Sequence, residues 1–364
     1  RKKDYLERKQ KINRQELQAI AYDTSAFDNG KEFIDPAHLY TYDLDVFGEH
    51  SLFQYINRTA TQPGKKRLAE WMNTHLKNKA EIEKRQEAVK ELAPELEMRQ
   101  HFRILGLLHK GKTADEEEIR NWATSPEYYR KKWYFRTLAI LVPLANAVCL
   151  GLAIAGVISF TTWGIVFAGI GLLSSSFSKG VSQMQSVYGK KMQILTTYAH
   201  LIHIIEEKEM GSSALKRVKG LVGGEKQTAS QAVKRLTALM NALDQRNNML
   251  MQFVLNGLFF WELRQVMKIE TWKESFAANL PHWLEAIGEM DAYCSLATFA
   301  YNHPGYVFPE IASKPFCMEA GALGHPLMDR DKCVRNDIQI AKRPFFVIIT
   351  GANMAGKSTY LRTI

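Results

Sequence analysis

Residues 137–178 include no Asp, Glu, Lys, Arg or His across 42 positions. One bilayer crossing takes ~20 apolar residues, so this run is long enough for two helices. Their break is expected near Ser159-Phe160-Thr161-Thr162, giving a first segment at 138–158 and a weaker second one at 163–177. Lys131, Lys132 and Arg136 precede the run, and Lys179, Lys190 and Lys191 follow it. Basic residues on both flanks favour a transmembrane hairpin with both ends on the cytoplasmic side. The alternative is a buried helical pair in a soluble domain, and polar Asn146, the glycines and the short second segment point that way.

The rest of the chain is ordinary globular material. It has 364 residues, 46% hydrophobic and 24% charged, and a formal net charge of +10. This excludes a disordered or collagen-like chain and allows two or three domains. The positive charge permits an anionic partner, nucleic acid or acidic lipid, without choosing between them. Cys149, Cys294, Cys317 and Cys333 lie far apart with no C-x-x-C pair, which indicates neither a zinc knuckle nor a disulfide scaffold and fits a reducing compartment. No cleavable signal peptide is visible. The opening Arg1-Lys2-Lys3 and the close on Thr363-Ile364, inside an expected helix, suggest a piece of a longer protein.

Residues 1–20 hold seven Lys and Arg against three acids, a solvated helix face or a basic arm. Asn29-Gly30 and Asp35-Pro36 mark a connector. From Ser51 the pattern is helical, with Leu52, Phe53, Tyr55 and Ile56 on one stripe and Leu68, Trp71 and Met72 resuming it after Pro63-Gly64. A charged helix follows at 79–92. Beyond the apolar run, 181–210 reads as helix and 211–224 as a loop. A long helix then takes Val233, Leu236, Met240, Leu243, Leu250 and Val254, and another covers 283–301 up to Asn302-His303-Pro304-Gly305. His200 and His203 have no evident third metal ligand, and Ser174-Ser175-Ser176 lacks the setting of a nucleophile elbow. A transporter is disfavoured because the apolar segments carry no ionisable residue.

The chemistry sits at the end. The run 345–349 (Phe-Phe-Val-Ile-Ile) reads as a buried strand. Directly after it, Gly351-Ala352-Asn353-Met354-Ala355-Gly356-Lys357-Ser358 matches G-x-x-x-x-G-K-[ST], the phosphate-binding loop, and Thr359 continues into a helix. The glycines let successive backbone N–H groups face a phosphate, and the helix N-terminus adds its dipole. Lys357 would reach the β- and γ-phosphates, which makes it the catalytic candidate, and the Ser358 hydroxyl would ligate Mg²⁺. The later carboxylate that positions magnesium and water falls beyond Ile364 in this reading. The residues present are therefore expected to bind a nucleotide without turning it over.

Thr350 to Tyr360, with Asn353-Met354 inside the loop and Ser358-Thr359-Tyr360 after the lysine, resembles the ATPase loop of the MutS DNA mismatch repair family. Asp45-Val46-Phe47-Gly48-Glu49-His50-Ser51-Leu52-Phe53, with Pro63-Gly64-Lys65-Lys66-Arg67-Leu68 and Trp71, is similar to the start of that family's helical core. Gly324-His325-Pro326-Leu327 and Val334-Arg335-Asn336-Asp337-Ile338 are similar to its lead-in to the ATPase strand. The resemblance implies a mainly α architecture. Residues 1–42 would be a basic helix and connector, 43–130 a MutS-type helical core, 131–180 the transmembrane hairpin, and 181–305 lever and core helices. Residues 306–364 would begin an α/β P-loop ATPase domain of ABC type.

The resemblance also implies that residues 351–359 bind ATP and Mg²⁺, with Asn353, Gly356, Lys357 and Ser358 foremost and Val334 in the segment 333–336 against adenine. Cys333 stands where the family often has an aromatic, Ala355 where it usually has glycine, and the apolar hairpin is an addition. Family members act as dimers, so a homodimer is expected, with DNA and a lipid bilayer as further partners. The family reads mismatches with a Phe-x-Glu wedge. Phe47-Gly48-Glu49 and Phe308-Pro309-Glu310 fit that tripeptide only by coincidence. Candidate phosphate contacts are Lys216, Arg217, Lys219, Lys234 and Arg235, each more readily read as a solvated helix or loop face. The implied function is a membrane-tethered mismatch-repair-type ATPase that couples nucleotide state to DNA. The alternative is a membrane-anchored P-loop switch or scaffold, without mismatch recognition, that moves a protein partner.

Overall fold

The computed structural model describes residues 2–108, 111, 113–188, 191–224, 227–244, 249–313, 317–340, 347–352 and 356–364, with backbone only at 113–114, 175–188, 244 and 249–252. The chain is mainly helical. In order come α1 (Lys2–Ile20), α2 (Leu52–Ile56), α3 (Gln62–Asn73), α4 (Lys79–Leu92), α5 (Leu96–Gly106), α6 (Thr113–Thr124), α7 (Trp133–Ile154) and α8 (Phe160–Tyr188). Then follow α9 (Met192–Glu207), α10 (Ser213–Val222), α11 (Ala229–Asp244), α12 (Met249–Phe259), α13 (Trp261–Phe276) and α14 (Leu280–Asn302). The chain ends with β1 (Met318–Leu323), β2 (Asn336–Ile340) and α15 (Lys357–Thr363). Two compact units emerge, one of Arg1–Ile104, Met210–Arg217 and Gly288–Ile364, the other of Leu105–Glu209 and Val218–Ile287.

Several local expectations are corrected. Pro63-Gly64 does not interrupt a helix but lies in the first turn of α3, where the missing proline N–H costs nothing. The break falls just before it, and the Thr61 hydroxyl caps α3 by accepting from Gly64 N at 3.1 Å. The expected loop at 211–224 holds α10, because Leu215, Val218 and Val222 bury one helical stripe and that outweighs the glycines. The long helix expected through Val233 and Val254 is described as α11 and α12, with 245–248 outside the described residues. The strand expected at 345–349 is not formed at Val347–Ile349, where no described strand pairs with the backbone and Ile348 is 72% exposed; Phe345 and Phe346 lie outside the described residues.

In the first unit Val46, Phe47, Phe53, Leu68, Ala69 and Ala292 make a continuous apolar core, with Trp71 packed against it and edge-on to Tyr293. Two carboxylates, one half-buried and one fully buried, tie distant segments together. Glu16 on α1 accepts from Arg58 Nε at 2.8 Å, Arg103 Nη1 at 2.5 Å and Asn302 Nδ2 at 3.0 Å. Burial alone would raise its pKa, yet Arg58 and Arg103 bring it below the usual value. Asp291 on α14 accepts from Ala60 N at 3.0 Å and from both the N–H and hydroxyl of Thr61. Gly64 is required there, since a Cβ would lie 2.1 Å from Asp291 Oδ2.

In the second unit α9, α11 and α13 pack through Leu201, Ile202, Val233, Leu236 and Val266, and the Trp272 indole donates to Ala232 O at 2.7 Å. Glu270 on α13 accepts from three consecutive N–H groups, of Tyr128, Tyr129 and Arg130, and so fixes the turn that leads into α7. Helices α7 and α8 form a hairpin with its break at 155–159, slightly earlier than expected. Among the described residues α7 alone is long and apolar enough to cross a bilayer, and the apolar part of α8, Phe160–Ser174, is shorter. The outer face of the pair is strongly apolar, with Ile140, Ile154 and Ile165 each about 70% exposed. Asn146 is buried because its amide is satisfied twice, donating to Gly257 O at 2.8 Å and accepting from the Trp163 indole at 2.9 Å.

Candidate functional site

The antiparallel pair β1 and β2 carries an irregularity between Ala320 and Leu323. There Ala322 takes φ 52°, and its N–H donates to the Asp337 carboxylate at 2.7 Å. This short hairpin forms one wall of a cavity of about 680 Å³. Leu323, His325, Cys333, Val334, Asn336 and Asp337 line that side. Gly351, Gly356, Lys357, Thr359, Tyr360 and Thr363 line the other.

Gly356 caps α15 with φ 79°, a conformation that glycine adopts without a steric penalty. Lys357 follows it and bends back over the loop, its ammonium donating to Gly351 O at 2.5 Å and to Ala352 O at 3.2 Å. The lysine therefore sits among loop groups on the same side as the helix N-terminus. Burial and the nearby Arg362 lower the pKa of His325, which favours its neutral form. Arg362, on α15, reaches Asp45 at 2.7 Å, joining the helix after the loop to the segment that leads into α2.

Of the residues expected at a nucleotide site, Gly351, Gly356, Lys357, Thr359 and Val334 share this cavity. Ala352 adjoins it through the Lys357 bond. Ser358 is exposed on the first turn of α15 and does not line the cavity. Asn353, Met354 and Ala355 lie outside the described residues. Met328, Tyr360 and Thr363 line the cavity without having been singled out as site residues, and Tyr360 and Thr363 follow the loop at helical spacing.

Other candidates resolve differently. Phe47 is buried in the core, so Phe47-Gly48-Glu49 offers no exposed wedge. Arg217 pairs with Glu289, and Lys219 donates to Lys208 O, whereas Lys216, Lys234 and Arg235 are exposed. His203 pairs with Glu206 and Glu207, and among the described residues no group of three His, Cys, Asp or Glu could hold a metal ion.

Residues 38–141 match the family model of MutS domain III. The chain is 24% identical over 375 residues to the DNA mismatch repair protein msh3 of Aspergillus niger, covering 90% of this chain and 33% of that protein. It is 44% identical over 107 residues to the DNA mismatch repair protein MutS of Haloquadratum walsbyi, which is 29% of this chain and 10% of that protein. A MutS of Fervidobacterium nodosum is 27% identical over 180 residues, 44% of this chain and 21% of its own length. The chain thus spans at most about a third of these relatives. No solved structure matches it. The match of residues 38–141 to MutS domain III and the similarity along nine-tenths of the chain support a MutS family member.

Proposed function

We propose that this chain is the nucleotide-binding and connecting part of a mismatch-repair-type ATPase, tethered to a membrane, that couples ATP binding to DNA. One observation carries the reading. Lys357 folds onto the carbonyls of Gly351 and Ala352 at one wall of a cavity whose other wall includes Cys333 and Val334. A cation at one end and Val334 at the other support a space that would take the phosphates and the base of ATP.

In this reading the backbone N–H groups after Gly351 and the start of α15 receive the phosphates. Lys357 exchanges its two carbonyl bonds for phosphate oxygens, a pairing of opposite charges and therefore a stronger one. Val334 covers the base by apolar contact, and the Ser358 hydroxyl is the ligand available to magnesium, which supplies charge neutralisation when bound. Arg362 passes a shift of α15 to Asp45 and so to the helical core. The exposed Lys216, Lys234 and Arg235 are candidate phosphate contacts to DNA, and the active protein is a homodimer in which each site is completed by its neighbour. The exposed apolar face of α7 and α8, with no ionisable residue across 137–178, supports the membrane tether. The basic flanks favour a cytoplasmic side for the other domains.

The names of the msh3 and MutS relatives, both DNA mismatch repair proteins, support the choice of DNA. The test is duplex DNA binding by the full-length protein across a salt series, with and without ATP. The expected result is affinity that falls steeply with salt and shifts with ATP. Indifference to DNA would contradict the reading and favour a membrane-anchored switch acting on a protein.

A further inference from the structure

The apolar character of the second unit does not stop at the hairpin. Residues 247–261, Asn-Asn-Met-Leu-Met-Gln-Phe-Val-Leu-Asn-Gly-Leu-Phe-Phe-Trp, carry no charge, and α12 occupies their centre. At 11 residues it is ~16 Å long, about half of a bilayer core. It packs on the hairpin by close contacts. A Cβ on Gly257 would lie 2.4 Å from the Phe167 ring, and one on Gly171 would lie 2.7 Å from the Phe253 ring. The rings of Phe167 and Phe253 meet edge to face at 5.4 Å. The Asn146 amide donates to Gly257 O.

The direction of the chain follows from these contacts. Phe253 lies beside Gly171 and Gly257 beside Phe167, so α12 runs antiparallel to α8 and rises toward the closed end of the hairpin. Phe260 then turns the chain in the left-handed region at φ 52°. From there α13 descends beside α7, because Gly257 lies by Asn146 while Glu270 lies by residues 128–130. Arg264 and Lys268 follow the turn on this descending helix, toward the side where α7 begins with Lys131, Lys132 and Arg136. All five are basic, and all but the half-buried Lys132 are exposed. The charge on α13 resumes toward the same side as the basic start of α7.

The turn between the two helices is also satisfied internally. Phe260 N donates to Asn256 O at 3.0 Å, Glu262 N to Asn256 Oδ1 at 3.0 Å, and Arg264 N to Phe260 O at 3.3 Å. Irregular backbone inside a bilayer is tolerated only under that condition. Phe253, Val254 and Phe259 remain 38–46% exposed, so part of the apolar surface of α12 stays accessible beside the hairpin.

We infer that α12 is a third membrane-embedded element: a re-entrant half-helix that enters the bilayer beside the α7 and α8 hairpin, turns at Phe260, and leaves as α13. Its occupant is the acyl-chain region of the leaflet on the side of the basic ring. The inference rests on the tether proposed above, and the test separates the two.

The full-length protein is reconstituted in phosphatidylcholine vesicles with a diazirine phospholipid probe in the acyl region, photolysed, digested and mapped by mass spectrometry. Label on Phe253, Val254 and Phe259 at a level comparable to that on Ile140 and Ile165, with none on Arg264 and Lys268, is the expected result. Label on the hairpin but not on α12 would overturn the re-entrant helix and leave the tether standing. Absence of label from both would overturn the tether and the re-entrant helix together. Amide hydrogen exchange of 250–259 on the same vesicles is a second readout: slow exchange comparable to that of α7 is expected, and exchange as fast as that of exposed loops would overturn the inference.

Discussion

The carboxylate of Asp291 accepts from Thr61 twice, from its N–H at 2.8 Å and its hydroxyl at 2.7 Å, across 230 residues of sequence. The pair locks α14 to the start of α3, and full burial pushes the Asp291 pKa up to about 6 despite these hydrogen bonds. A raised carboxyl value means that the folded state holds the proton more tightly than the unfolded chain does. The associated stability is present below about pH 4 and is lost as pH rises through 6, a change of about 3 kcal/mol at most. Asp291→Asn is expected to lack this component. Wild-type stability minus variant stability, from urea titrations at pH 4 to 8, should fall between pH 4 and 6 and flatten above 7. A flat difference throughout would contradict the assignment.

Gly64 and Gly288 allow the same two helices to meet, since a Cβ on Gly288 would lie 2.9 Å from Pro63 O. Gly64→Ala forces a buried methyl onto Asp291 and is expected to cost about 2–3 kcal/mol. Thermal unfolding measures it, with Gly220→Ala as a control because a Cβ there has no neighbour within 4 Å.

Lys357→Met removes the ammonium now held on Gly351 O and Ala352 O. Loss of a charge-assisted bond to phosphate, about 1.5–3 kcal/mol, predicts ATP binding about 10- to 100-fold weaker in the full-length protein by calorimetry. The circular dichroism spectrum should not change.

Asn146→Leu leaves both the Trp163 indole and Gly257 O without their partner. A destabilisation of about 1–2 kcal/mol is expected for the detergent-extracted protein. Unchanged stability would mean that the amide does not fasten α12 to the hairpin.

Lys234→Gln with Arg235→Gln tests the DNA face. If both touch phosphates, the slope of log affinity against log salt becomes shallower by about 0.9 for each phosphate that is no longer neutralised. A parallel shift with no change of slope would assign these residues to a solvated face.

Much of the local structure was legible in the sequence because its causes are local. The charged helix at 79–92 is realised as α4, with Asn78 capping it by accepting from Ala80 N at 2.9 Å. The phosphate-loop pattern, the apolar run and its break were equally plain. The nodes that join the chain were not legible, because their partners are remote: Glu16 to Arg58, Arg103 and Asn302, Asp291 to Thr61, and Glu270 to residues 128–130. A lone acid looks the same in sequence whether it is solvated or buried in a ring of donors. The uncharged stretch around α12 was passed over because Leu250 and Val254 extend the stripe of α11, and only Asn146 and Phe167 reveal that this segment belongs with the hairpin. Pro63 misled for a simpler reason: it reads as a helix breaker unless the capping Thr61 is seen to start the helix just before it.

The central claim is that one protein joins a membrane tether, an ATP site and DNA. The most direct measurement is ATP turnover by carbonate-washed membranes carrying the full-length protein, with and without duplex DNA. The account predicts that activity stays with the membranes and rises on adding DNA. Activity lost to the wash, or unchanged by DNA, would contradict it.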